Sequence, residues 1–191
     1  MSERIEDYER VSVYELDPAV REGLLASHAE CTFLWSTRDG WPVGVIMSYL
    51  WKDGRFWLTA GAHRHRIEAI RRDPRVSIVV TSTGSKLGPG KSVTAKGRVK
   101  LHEDEATKAW FYPEFALHLT LRPDAARDFA AFLDSPLRVV LEVVPEKWIT
   151  YDGAKMFLDR AGKLPTEARS APKSSDTVRL QRELERRGLR D

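Results

Sequence analysis

The stretch CTFLWSTRDGWPVGVIMSYLWKDGRFWLTA, residues 31–60, holds three strand-like segments separated by two Asp-Gly turns. Cys31–Thr37 and Val43–Trp51 are rich in β-branched and aromatic residues, and Asp39-Gly40 between them favours a hairpin turn. Lys52-Asp53-Gly54 makes a second turn, after which Arg55–Ala60 returns as a third strand. Turns this tight join antiparallel neighbours, whereas parallel strands need a crossover of a dozen or more residues. The three segments therefore read as an antiparallel meander, which argues against a doubly wound parallel sheet.

On the N-terminal side, Asp17-Pro18 has the form of an N-cap followed by proline at the first helical position. The helix it opens, Pro18 to His28, places Val20, Leu24 and Leu25 at helical spacing. On the C-terminal side the period changes again. His65–Arg72 puts Ile67 and Ile70 on one helical face, and Asp73-Pro74 ends that helix, because the residue before proline is pushed out of the α region. Val76–Thr81 reads as a fourth strand, followed by a loop of turn formers, Gly84–Gly90. Ser92–Leu101 is a fifth, with Gly97 marking a bulge or a close backbone approach. Glu103–Tyr112 and Pro123–Leu133 have helical patterns, with Pro113 expected to break the first. Val139–Val144 is a sixth strand, and Trp148–Tyr151 is either a short seventh or its extension beyond a kink at Pro145.

Six strands with peripheral helices predict a mainly β chain built on a closed or nearly closed antiparallel barrel. The expected division is a barrel domain over residues 1–160 and an appendage over 161–191. Within the appendage, Lys163–Ser175 is rich in Pro, Ser and Lys, as in a linker. A short charged helix ending at Gly188 follows, with only Val178, Leu180 and Leu184 apolar. So few apolar residues do not hold an isolated helix, so this segment is expected to dock or to be disordered.

Composition narrows the function classes. Apolar residues make up 42% of the chain and charged ones 31%, ordinary values for a globular protein. A net charge of +3, with much of the excess beyond Lys163, is too small to call for nucleic acid. A single cysteine, Cys31, excludes an internal disulfide and a multi-cysteine metal site. No apolar run approaches the ~20 residues that span a bilayer, and MSERIEDYER has no signal-peptide core, so no membrane partner and a cytoplasmic location are expected. No Ser/His/Asp constellation, carboxylate pair or phosphate loop is present. His63 and His65 lack a third ligand nearby, so no metal is assigned. Trp35, Trp41, Trp51 and Trp57 take strand positions suited to a core or a dimer surface, while Trp110, Tyr112 and Phe115 either roof a pocket or pack a helix.

The most chemically informative segment is Gly61-Ala-His-Arg-His-Arg-Ile67, where several basic side chains stand between a strand and a helix. A helix N-terminus offers free N–H groups and the positive end of its dipole, and added arginines suit it to an anion such as a terminal phosphate. The bland alternative is a solvated basic turn.

From Thr32 to Leu101 the order of motifs resembles the flavin-binding split-barrel proteins related to pyridoxamine 5′-phosphate oxidase. That group includes general-stress flavoproteins and oxidoreductases using the deazaflavin coenzyme F-420. The matching residues are Asp39-Gly40-Trp41-Pro42, Asp53-Gly54-Arg55-Phe56-Trp57-Leu58-Thr59, Arg66 through Asp73-Pro74-Arg75-Val76, and Val93-Thr-Ala-Lys-Gly97-Arg98-Val99. Pro145–Asp152 is similar to the strand that closes many family barrels, so the resemblance spans about residues 20–152.

The resemblance implies a six-stranded split barrel, a twofold homodimer with sites shared between protomers, and a bound flavin. It places Arg64, His65 and Arg66 on the cofactor phosphate, with Arg66 standing for a family lysine and His65 for a usual arginine. It sets Leu58 and Thr59 at the strand end facing the cofactor, Ile46, Met47 and Ser48 along the isoalloxazine ring, and Ser92 on the opposite side. The C-terminal substrate signature of pyridoxamine-phosphate oxidase itself, rich in Arg, Trp and Leu, is absent. The implied activity is hydride or electron transfer between FMN and a small organic substrate, with no catalytic residue assigned. A deazaflavin-dependent reductase is the alternative, followed by a non-catalytic carrier of flavin or haem; FAD is a lesser cofactor candidate. A nucleic-acid-binding barrel using Arg64–Arg75 is the rival from a different class.

Overall fold

The structure is a computed structural model that describes residues 11–189. Seven strands form one antiparallel sheet: β1 (Glu30–Ser36), β2 (Pro42–Ser48), β3 (Leu50–Lys52), β4 (Arg55–Gly61), β5 (Arg75–Thr81), β6 (Lys91–His102) and β7 (Arg138–Asp152). Their order is β2-β1-β5-β6-β7-β4-β3. The two edge strands, β2 and β3, are separated in sequence by Tyr49 alone. Consecutive Cα atoms lie 3.8 Å apart, so the sheet must curl until its edges meet. That is a split barrel, as expected.

The expected meander is corrected here. Both Asp-Gly turns make hairpins, β1–β2 and β3–β4, but the second strand does not run on to pair with the third. It ends at Ser48, and after Tyr49 the chain continues on the other edge of the sheet. Tyr49 is fully buried, and its hydroxyl donates to the Leu25 carbonyl at 2.9 Å. This tether to α1 (Pro18–Ser27) holds the seam, and the division of the expected second strand at Tyr49 makes the strand count seven instead of six. The sixth expected strand and its extension form one, β7, which passes Pro145 with a bulge: Lys96 faces Lys147 and Gly97 faces Pro145, leaving Glu146 unmatched. A Cβ on Gly97 would lie 2.3 Å from the Val144 carbonyl oxygen, the close approach that its place in the strand implied.

Alternate strand residues fill the barrel: Phe33, Phe56, Leu58, Ile78, Val93, Leu141 and Val143 pack with Leu24 and Leu25 of α1. Ile67 and Ile70 of α2 (His65–Arg72) join them. A second cluster lies outside β4 and β7, where Trp57 and Val140 meet Phe111, Tyr112 and Phe115 of α3 (Glu105–Thr120) and Leu133 of α4 (Pro123–Leu133). Val139–Val143 is therefore buried on both faces, and its one charged residue, Glu142, is paired with Arg55 and hydrogen-bonded to His102.

Pro113 does not end α3. Proline inside a helix costs about 3 kcal/mol, while fully burying one aromatic side chain returns about 1.5–3 kcal/mol. Phe115 and Ala116, both beyond the proline, are buried. Asp104 caps this helix by accepting from the Thr107 amide at 2.8 Å.

After β7 comes a helix the sequence reading lacked, α5 (Gly153–Arg160), capped by Asp152. The appendage then turns through residues 166–168 into α6 (Ser174–Arg187). It is tied to the chain's own N-terminal segment: Ser170 N–H donates to the Val13 carbonyl at 2.8 Å, and Lys173 pairs with Glu15 at 2.6 Å. Leu184 is buried, while Val178 stays exposed. No helix among the described residues is long and apolar enough to cross a membrane.

Candidate functional site

The strand-to-helix turn after β4 builds the site. The Arg64 amide donates to the Gly61 carbonyl at 3.0 Å, and the Ile67 amide to the Arg64 carbonyl at 2.8 Å, so α2 begins directly behind the turn. No side chain caps that helix, and of its first amides those of His65 and Arg66 have no backbone acceptor among the described residues. On the next strand, Gly61 pairs with Arg138, and the Ala62 amide donates to the Leu137 carbonyl at 2.7 Å. These bonds bring the start of β7 beside the start of α2.

A cleft of about 280 Å³ opens there. Arg64, Arg66 and Arg138 line its basic part, Met47, Ser48 and Thr59 line the strand side, and Phe115, Leu119, Phe129 and Leu133 form an apolar wall from α3 and α4. Among the described residues, none of the three arginines has a carboxylate within ion-pair distance. Arg64 is exposed. Arg66 is half-buried, with its guanidinium 5.8 Å from the Trp35 ring centre and its Nε buried with no hydrogen-bond partner among the described residues. Desolvation, with Arg64 adding a like charge, lowers the Arg66 pKa from its ordinary value. A desolvated cation beside another cation gains most from a bound anion.

The residues expected from sequence divide between this cleft and other places. Met47, Ser48, Thr59, Arg64 and Arg66 line it together. Ile46 of β2 does not line the cleft and is 65% exposed. Leu58 is fully buried in the barrel, so only its backbone is available at the strand end. His65 lies in a separate shallow hollow with Trp35, Arg38 and Glu68. Ser92 sits on β6 opposite Thr81 and Tyr151 and does not line the cleft.

Arg138 and the wall residues were missed, apart from Phe115 in its aromatic cluster. Arg138 is distant in sequence from Arg64, and only the β4–β7 register joins them. Among the described residues, no group of three or more His, Cys, Asp or Glu could hold a metal ion.

Comparison with known proteins places this architecture. Many solved structures share the fold, three of them as follows. A conserved hypothetical protein from Mycobacterium tuberculosis is 21% identical, with a TM-score of 0.67 over 86% of this chain and 97% of that one. An F420 reductase is 19% identical, with a TM-score of 0.52 over 67% of this chain and 94% of that one. A FAD-binding protein from Mesorhizobium loti is 19% identical, with a TM-score of 0.52 over 71% and 94% of the two chains. A search of the curated proteins gives no match. The family model described as pyridoxamine 5′-phosphate oxidase matches residues 16–152, which hold all seven strands and every cleft-lining residue. By that match the chain belongs to the pyridoxamine 5′-phosphate oxidase family.

Proposed function

We propose that the chain is a flavin-dependent oxidoreductase that holds a cofactor phosphate in the arginine cleft. The observation that carries this reading is Arg66, whose buried Nε has no hydrogen-bond partner among the described residues, in a cleft where Arg64 and Arg138 have no carboxylate partner among them either. The residues fit a phosphorylated flavin: cations and free amides for the phosphate, and an apolar wall with Phe115 and Phe129 for the ring. A bound flavin carries the hydride or electron transfer itself, and the protein supplies binding, orientation and electrostatics. FMN is the first choice of cofactor. The deazaflavin coenzyme F-420 is the second, favoured by the likeness to an F420 reductase. The substrate is a small organic molecule. A homodimer completes the site in this reading, because the cleft is open and Ile46 and Ile149 leave apolar surface on the barrel's outer face.

The test is a titration of flavin fluorescence with wild type and Arg66→Ala. A charge-assisted hydrogen bond contributes roughly 1.5–3 kcal/mol, so the variant is expected to bind FMN about ten- to a hundredfold more weakly. Riboflavin, without the phosphate, should bind both proteins alike. Equal FMN affinity in the two proteins would reduce the basic turn to a solvated surface.

A further inference from the structure

α3 carries a polar group that the fold itself does not use. Tyr112 is 2% exposed and packs in the outer cluster with Trp57, Phe111, Phe115 and Leu133. Its hydroxyl is buried and makes no hydrogen bond among the described residues. Such a group costs free energy in the resting protein, so its retention in an otherwise apolar cluster calls for a use. A phenylalanine would fill the same space without that cost.

The surroundings indicate the use. Thr59, which lines the cleft, is the neighbour of the Tyr112 hydroxyl, though the two oxygens do not meet hydrogen-bond geometry. The Thr59 hydroxyl donates its proton to the Val139 carbonyl at 3.0 Å. Its oxygen therefore keeps its lone pairs and acts towards the cleft only as an acceptor. Burial pushes the Tyr112 phenol above the ordinary tyrosine range, against the pull of Thr59 and Arg138, so the group remains a donor. One donor without an acceptor thus stands behind one acceptor that faces a ligand cleft.

We propose that Tyr112 is a positioning residue of the cleft. When a ligand seats, its O–H donates to Thr59 Oγ1 and fixes that oxygen as the acceptor for an O–H or N–H of the ligand. The ligand is then a molecule with an anionic end for the arginines and a hydrogen-bond donor further along its body. This inference rests on the reading of the cleft as the flavin site and adds a contact that the phosphate does not make.

Tyr112→Phe, Thr59→Val and the double variant of the full chain test it, through ligand-free melting temperature and affinity for FMN and for coenzyme F-420. Tyr112→Phe should melt no lower than wild type, because the lost hydroxyl makes no bond there, yet bind the cofactor roughly 3- to 10-fold more weakly. Thr59→Val should weaken binding similarly, and the double variant no further, since the two groups act as one unit. A Tyr112→Phe that binds like wild type overturns the inference and leaves the arginine reading intact. Additive losses in the double variant overturn it as well, because the residues would then act separately. Failure of the wild type to bind either cofactor overturns both.

Discussion

Cys31 opens β1 with its thiol inside the barrel, donating to the Met47 carbonyl at 3.4 Å, and burial pushes that thiol up from 9.0 to about 12. The same cause raises the Tyr49 phenol at the seam. Both groups are neutral in the folded chain, and both would ionise more readily once unfolded. Above about pH 9 the unfolded state therefore binds fewer protons than the folded one, and stability falls as pH rises. Urea unfolding followed by circular dichroism should show a midpoint that declines from pH 9 upward, less steeply in Cys31→Ala. Iodoacetamide at about pH 8 should leave the native thiol unmodified and alkylate it in urea. Rapid alkylation of the native protein would contradict the burial. At this scale the sequence was informative wherever a residue type limits its own role, as for a lone cysteine at a strand start or arginines at a helix start. It was silent on Tyr112, because an aromatic residue on a helix shows the same pattern whether its hydroxyl is used or not.

Among the elements, β6 and β7 are the pair on which the barrel turns. Gly97 was legible as a position where something approaches, and the approaching group proves to be the Val144 carbonyl, next to the bulge at Glu146. Gly97→Ala would force backbone apart from backbone, with no flexible side chain to yield. Overpacking of this kind costs about 1–3 kcal/mol, so the variant should unfold at correspondingly lower denaturant. A neutral Gly97→Ala would show that the bulge relaxes freely. Pro113 shows the opposite case. Its local preference predicts a helix end, yet α3 continues with Phe115 buried in the cluster that holds Trp57 and Val140 of the barrel. The strength of that packing depends on β4 and β7, which lie far away in sequence, so no local pattern could report it.

For the whole molecule, the outer face of the sheet carries apolar side chains that a single chain leaves uncovered. Ile46 is 65% exposed and Ile149 43%, and Leu34 and Val79 are half-buried on outward strand positions. A second copy packed on this face would exclude them from water, in keeping with the proposed dimer. Light scattering at micromolar concentration is expected to give twice the 21.8 kDa chain mass. Ile46→Asp should shift the protein to the monomer with its circular dichroism unchanged, because Ile46 contributes little to the core of one chain. A wild-type monomer would remove the basis for a shared site.

The sequence by itself determined the hairpins, the helices α1, α2 and α4, and the basic turn, because each rests on short-range chemistry. An Asp-Gly turn, a Pro after an Asp, or an alternating apolar strand is decided within a few residues. It also determined the family, through the order of those motifs. Only the tertiary structure decided that Tyr49 sends the chain across the seam, that α3 outlasts its proline, and that Arg138 joins Arg64 and Arg66. Each of these depends on a pairing between segments distant along the chain. The free energy that selects such a pairing comes from surface buried by both partners at once, which neither partner's local sequence contains.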